Sequence, residues 1–209
     1  MAVLSGTEGG IDEAGRGPVI GPMVIAIVAW SNREAKELGV RDSKQLTPGG
    51  RRRLYELIVN RAPCVKHVVV EPGEIDYYVD RGLLNQLEAV KMRELITSCR
   101  GVKRVYIDSP DPDPVRFREM INISDVDVVV LNHADESIPV VSAASIVAKV
   151  IRDSIISRLK ETYGEFGSGY PSDPRTIEAL RRWVSSGSIP PIVRRSWRTV
   201  RRMLSSRLF

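Results

Sequence analysis

Residues 10–22 read Gly-Ile-Asp-Glu-Ala-Gly-Arg-Gly-Pro-Val-Ile-Gly-Pro, and they restrict the fold more than any other stretch of the chain. Two adjacent carboxylates, Asp12 and Glu13, end a first segment. The glycine-flanked cation of Gly15-Arg16-Gly17 breaks it, and the continuous apolar run Met23–Trp30 follows. A short run so rich in β-branched residues fits a strand buried on both faces. With residues 7–13 as the strand before it, the pair makes a hairpin at the centre of a sheet. Carboxylates beside such a sheet are expensive, because burial disfavours their ionised forms and like charges repel. A divalent cation removes that cost, and the glycines let a phosphate-bearing ligand approach the backbone closely. The plainer alternative is a strand ending in a polar turn.

The rest of the chain alternates strand and helix. Asn32 to Leu38 suits a helical turn, and residues 42–46 (Asp-Ser-Lys-Gln-Leu) a polar loop. Thr47-Pro48 opens a helix to about Ala62, with Thr47 as N-cap and Pro48 at its first position. Its apolar stripe is Leu54, Leu57 and Ile58. Arg51, Arg52 and Arg53 crowd its first turns against the helix dipole. Val65 to Val70 is a strand, Glu71-Pro72-Gly73 breaks it, and a short helix precedes a longer one from Leu83 to about Cys99. Strands follow at Val102–Asp108 and Val126–Leu131, with the proline-bearing 111–114 stretch unable to continue the first of them. A long helix runs from Val141 to about Tyr163, its stripe Val147, Ile151, Ile155 and Leu159. Residues 164–173 form a Gly/Pro/Ser hinge, and helices at Pro174–Ser186 and Ser196–Leu208 finish the chain. The order predicts an α/β fold with a mixed central sheet flanked by helices. A C-terminal helical piece lies beyond the hinge.

Composition excludes several classes of function. The most apolar stretch, Pro22 to Trp30, is far shorter than the roughly 20 residues needed to cross a bilayer. No signal peptide precedes it, so a cytoplasmic protein without membrane attachment is expected. Two histidines and two cysteines without C-x-x-C spacing argue against a Cys/His zinc site. Whether Cys64 and Cys99 pair depends on geometry and compartment. The net charge is +5 and the sequence pI about 9.4. The last sixteen residues carry six arginines (194, 195, 198, 201, 202 and 207) and no acid. Such a run suits a polyanion partner or a solvated helix face.

Asp12 and Glu13 end the first strand, Asp108 ends a later one, and Asp135 follows the last. Strand ends in an open α/β sheet are where ligands bind. Four carboxylates converging there cannot all stay ionised. Mg²⁺ or Mn²⁺, which take carboxylate oxygens and keep several waters, is the natural solution. Two such ions about 4 Å apart would clamp the attacking and leaving oxygens of a phosphodiester, with no histidine required as base. Taken singly, Asp108 before Ser-Pro equally starts a turn, and Asp135 equally caps a helix.

These residues resemble the type 2 ribonucleases H, specifically the ribonuclease HII family. The resemblance is carried by Gly10–Val19, by residues 42–46, by Tyr106-Ile107-Asp108 and by Ala134-Asp135. It continues in Val141-Ser-Ala-Ala-Ser-Ile-Val-Ala-Lys149, in Gly167-Ser-Gly-Tyr-Pro-Ser-Asp173 and in the archaeal-like Arg194-Arg-Ser-Trp-Arg-Thr199. It spans nearly the whole chain. It implies an RNase H-like fold, with residues 1–165 as catalytic domain and 166–209 as a helical substrate-binding extension. It implies a metal-dependent endoribonuclease that cuts the RNA strand of RNA/DNA hybrids. The same family pattern implies incision 5′ of single ribonucleotides in duplex DNA, by two metal ions, leaving 5′-phosphate and 3′-hydroxyl ends. Asp12, Glu13, Asp108 and Asp135 are the implied metal ligands. Gly15, Arg16 and Gly17 are implied to read the 2′-hydroxyl through backbone groups, a group that marks RNA locally, and Tyr170 to recognise the RNA-to-DNA junction. Ser145 and Lys149, four apart on one helix face, and Ser43 and Lys44 are implied phosphate contacts.

The related ribonuclease HIII family has Gly-Lys-Gly at this point and an added N-terminal domain, so Arg16 and the missing leader favour type HII. Some archaeal members end in a sliding-clamp motif. Here residues 203–209 (Met-Leu-Ser-Ser-Arg-Leu-Phe) contain no glutamine and no aromatic pair, which gives a clamp little support. A monomer is expected. Two other classes stay open on the residues alone. One is a binding module without catalysis, suggested by the arginine-rich end, and the other is a DNA junction resolvase of the same fold.

Overall fold

Strand β1 (Glu8–Ala14) runs antiparallel to β2 (Met23–Trp30), with Asp12 opposite Ala26. Every residue of β2 is buried, as its unbroken apolar sequence requires. The computed structural model describes residues 7–40 and 47–206. After β2 come α1 (Asn32–Glu37), α2 (Pro48–Arg61), β3 (Cys64–Val70), α3 (Pro72–Val79) and α4 (Leu84–Ser98). Then follow β4 (Arg104–Asp108), α5 (Pro114–Ile121), β5 (Asp127–Leu131), α6 (Ala134–Ser137), α7 (Pro139–Tyr163), α8 (Pro174–Ser186) and α9 (Arg198–Ser205).

The described strands form one five-stranded sheet in the order β3-β2-β1-β4-β5. Its β1/β2 pair is antiparallel, whereas β1/β4 and β4/β5 are parallel. The sheet is therefore mixed and has the hairpin near its centre, as the sequence predicts. The Thr47 hydroxyl accepts the Gly50 N–H, so the predicted cap is present.

A helix that the sequence reading did not assign, α5, follows β4, with Asp113 as its cap and Pro114 in its first turn. One expectation is corrected: the buried line of α7 lies one residue beyond the expected one. Ile151, Ile155 and Leu159 are only half-buried, while Arg152 and Ile156 are buried. A charged residue at an interior position hid that line.

The chain divides into two compact units. One takes its described residues from Met1–Ala14, Val24–Val68 and Asn85–Val150, and it holds most of the sheet. Within it Cys64 and Cys99 form a disulfide, a question the sequence left open. The other takes its residues from Gly15–Met23, Val69–Leu84 and Ile151–Phe209. Its core joins Val19, Ile20, Phe166, Leu180, Val193 and Val200. Among the described residues, no helix is long and apolar enough to cross a membrane.

Candidate active site

The parallel register between β1 and β4 brings the first two acids together. Ile11 pairs with Ile107, and both are fully buried. The next residue on each strand is an aspartate, so Asp12 and Asp108 stand level on neighbouring strands and on the same face. Past β5 the chain turns sharply, with His133 in the left-handed region at φ 58°. The Asp108 Oδ1 then accepts the Ala134 N–H at 2.8 Å. That bond draws the first turn of α6 to the end of β4 and brings Asp135 in. Carboxylate oxygens of Asp12, Asp108 and Asp135 lie within 4.8 Å of one another.

This geometry answers the two local alternatives. Asp108 binds a backbone group 26 residues away, while Ser109 makes the local turn by donating to the Asp111 carbonyl. His133, not Asp135, occupies the N-cap of α6. Glu13 stands outside the group of three. Successive strand residues face opposite sides, and the Glu13 N–H instead donates to Asp12 Oδ1 at 2.7 Å.

Helix α7 supplies the other side of the cluster. Gly10 lets it come close, since a Cβ there would lie 2.2 Å from the backbone carbon and oxygen of Val140. Ser145, fully buried, hydrogen-bonds the Asp12 carboxyl, and Lys149 Nζ donates to Ser145 Oγ at 2.7 Å. The two residues that spacing placed on one helix face thus form a relay to Asp12. Burial pushes the Asp12 carboxyl up to about 7. The Ser145 bond and the Lys149 charge oppose that rise, and the neighbouring Asp108 and Asp135 charges add to it. Three oxygen donors this close, around a carboxyl that resists ionisation, fit a hard divalent cation in charge and chemistry.

The Gly-Arg-Gly segment belongs to the second unit, where its carbonyls are tied down one by one. Arg194 is fully buried. It donates from Nη2 to Gly15 O at 2.6 Å, from Nη1 to Arg16 O at 2.9 Å and from Nε to Gly21 O at 2.9 Å. Trp197 Nε1 donates to Gly17 O at 3.1 Å. The Arg194 backbone N–H takes Val19 O, and Arg152 Nε takes Pro22 O at 3.3 Å. Gly15 has φ 85°, and a Cβ on it would lie 2.1 Å from Arg152 Nε. Gly17 is exposed beside Tyr170, whose Cε1 is 3.8 Å from the place a Gly17 Cβ would take. Tyr170 is 40% exposed, so it is no core aromatic, and the Arg152 guanidinium lies 5.6 Å from its ring centroid. Ser43 and Lys44 lie outside the described residues.

The arginine run reads differently in three dimensions. Arg194 is interior, and acids in α3 and at its C-terminal cap meet its neighbours. Asp76 accepts the Arg195 and Ser196 N–H groups, and Asp80 pairs with Arg201 at 2.5 Å. Arg198 and Arg202 are exposed. Sequence reasoning missed Arg152, Arg194 and Trp197 as loop-holding residues. No local pattern signals them, because their partners are carbonyls of a distant segment.

A family model described as Ribonuclease HII matches residues 9–200 of this chain. A ribonuclease HII from Caldivirga maquilingensis is 75% identical over 209 residues and is covered, like this chain, over 100% of its length. A solved ribonuclease H2 from Pyrococcus horikoshii is similar with a TM-score of 0.88 at 43% identity, covering 96% of this chain and 98% of that one. A ribonuclease HII from Archaeoglobus fulgidus, solved in complex with PCNA, gives 0.87 at 44% identity, covering 94% and 96%.

Proposed function

The chain belongs to the ribonuclease HII family, and from that premise we propose how its residues share the work of cutting RNA paired with DNA. It has the RNase H-like fold and is a metal-dependent ribonuclease H, a hydrolase with endoribonuclease activity on RNA/DNA hybrids. The finer activity we infer is incision on the 5′ side of single ribonucleotides embedded in duplex DNA, leaving 5′-phosphate and 3′-hydroxyl ends. The observation that carries the metal-dependent cleavage is the meeting of Asp12, Asp108 and Asp135 within 4.8 Å around a buried carboxyl.

In this proposal Asp12, Asp108 and Asp135, joined by Glu13 from outside their cluster, would hold two Mg²⁺ or Mn²⁺ ions, whose hardness suits carboxylate oxygens. Bound there, such ions supply positive charge to the attacking and leaving oxygens of an in-line displacement. The chain's own groups set the geometry. Ser145 orients Asp12, and Lys149 holds Ser145 while offering its ammonium to the phosphate strand. Ser43 and Lys44 are proposed as further phosphate contacts. Gly15, Arg16 and Gly17 address the ribose 2′-hydroxyl from the backbone. Tyr170, exposed beside Gly17, meets the sugar at the RNA-to-DNA junction.

Residues 1–165 carry the chemistry in this reading, and 166–209 add duplex affinity through exposed cations such as Arg198 and Arg202. In this proposal the protein acts as a monomer. We assign the protein to the cytoplasm, where its nucleic-acid substrate is found. A sliding clamp is a second candidate partner on the strength of the Archaeoglobus fulgidus complex.

The test is a labelled DNA duplex carrying one ribonucleotide, with Mg²⁺ or Mn²⁺, beside an all-DNA duplex and a long hybrid. A nick 5′ of the ribonucleotide, with the all-DNA control intact, is the expected result. Asp108→Asn keeps an oxygen for the Ala134 N–H, so it should fold yet cut nothing. Full cleavage by that variant would refute the assignment of the acids. Cleavage of the long hybrid alone would remove the junction-reading role. Cleavage of all-DNA duplexes would favour the resolvase reading.

A further inference from the structure

The segment Gly15–Gly21 is seven residues long, and the second unit spends much of its buried polarity on their carbonyls. Gly15, Arg16, Gly17, Val19 and Gly21 each present a carbonyl oxygen to a donor from residues 194–197. Pro22 presents its own to Arg152. The Val19 and Ile20 N–H groups share the Gly169 carbonyl, and the Gly21 N–H takes Ile192 O. The loop is thus held at both ends by one guanidinium. Nη1 and Nη2 of Arg194 grip its start at Gly15 and Arg16, and Nε grips its close at Gly21.

A peptide unit is planar and trans, so fixing a carbonyl fixes the next residue's N–H in the opposite direction. The bond to Gly15 O therefore aims the Arg16 N–H away from the guanidinium. The bond to Arg16 O does the same for the Gly17 N–H. The Gly17 carbonyl precedes Pro18, which has no N–H, so the Trp197 bond sets the plane that ends this donor pair. Glycines on both sides of Arg16 would otherwise let these planes rotate at little cost. A planar guanidinium with three separately directed donor nitrogens can hold both at once, which a lysine ammonium cannot.

We propose that Arg194 and Trp197 are positioning residues for substrate selection. They preset the Arg16 and Gly17 amides as a rigid donor pair for the ribose 2′-hydroxyl, so that the ordering cost is met in folding rather than on binding. The proposal rests on the reading of Gly15-Arg16-Gly17 as the ribose-reading loop. Neither residue touches substrate in this scheme; both act through the loop.

The test uses the full chain in the cleavage-dead Asp108→Asn background and measures binding by fluorescence anisotropy. The probes are two duplexes of identical sequence, one all-DNA and one with a single ribonucleotide. Trp197→Phe keeps an aromatic ring and removes one donor, and Arg194→Lys keeps the charge and removes the fork. Trp197→Phe should lower the preference for the ribonucleotide duplex about threefold to tenfold, the range for losing one hydrogen bond, and Arg194→Lys, which loses more than one, should lower it at least as much. Affinity for the all-DNA duplex should stay unchanged, and the thermal midpoint of Trp197→Phe should fall by only a few degrees, about the size of one lost hydrogen bond. An unchanged preference in folded Trp197→Phe overturns the proposal, as does an equal loss of affinity for both duplexes. If the parent background itself shows no preference, the loop reading falls and the positioning role falls with it.

Discussion

Replacing Asp12 by asparagine should make the metal-free protein more stable, not less, near neutral pH. The Asp12 carboxyl rises from an ordinary 3.8 to about 7 in the folded chain, chiefly because it is buried. A raised carboxyl means that the folded state keeps a proton the unfolded chain has released. The stability this provides is complete below pH 3.8 and is lost as pH rises through about 7. At 1.36 kcal/mol per pH unit, full ionisation costs the folded state about 4 kcal/mol. Asparagine removes that cost and still offers Ser145 an oxygen, although a neutral amide is the weaker acceptor by about 1 kcal/mol. The net gain is about 3 kcal/mol at roughly pH 8 and shrinks towards zero by about pH 5. For a chain of this size 1 kcal/mol moves the thermal midpoint by about 2–4 °C. The assay is scanning calorimetry of both proteins in excess chelator across that pH range. The variant should melt about 6–12 °C above the parent at the alkaline end. Saturating Mg²⁺ should close the gap by stabilising the parent more. A variant less stable than the parent at the alkaline end, or a gap that ignores pH, would refute the reasoning.

Two further outcomes follow from packing and connectivity. Gly10→Ala would set a Cβ 2.2 Å from the Val140 carbonyl, so the first turn of α7 must retreat and take Ser145 and Lys149 with it. Calorimetry should show a loss of about 3 kcal/mol, accompanied by weaker cleavage; wild-type values in both assays would show that the approach is not so tight. Removing the Cys64–Cys99 bond by a double serine substitution frees a loop with a sequence separation of 35. Loop-closure entropy puts the cost at about 4 kcal/mol. Cleavage at moderate temperature should persist, and an unmoved thermal midpoint would count against any role for the bond in stability.

The parts of the site that sequence reveals are those set by strand periodicity. Asp12 and Asp108 end two apolar strands, and a parallel pair with Ile11 beside Ile107 leaves their side chains level. The hairpin, the capped start of α2 and the Ser145–Lys149 spacing were legible for the same reason, since each is a regular repeat or a local cap. Helix α5 was less visible because Asp113-Pro114 sits in a proline-bearing stretch that also reads as loop. The disulfide was not visible at all, because a Cα separation of 5.9 Å is a product of the fold. Nor were the partners of the arginine run, since Asp76 and Asp80 lie more than a hundred residues earlier in the chain.

Arg152 and Arg194 show why the loop at residues 15–22 resists such reading. Sequence rules place arginine at the surface because burying its charge is costly unless it is well hydrogen-bonded. Both are buried here, and both spend their donors on carbonyls of residues 15–22. A glycine-rich loop has no side chains with which to define itself and no ladder to satisfy its backbone. Its carbonyls must still be paired when buried, and a guanidinium is the side chain that can pair several at once. The cost of burying Arg194 and the floppiness of Gly15-Arg16-Gly17 are each unfavourable alone, and together they cancel. The acids could therefore be located from strand patterns, whereas the loop takes its shape from a residue 178 positions further along the chain. An interior arginine beside a glycine-rich turn is thus as informative about that turn as the glycines are.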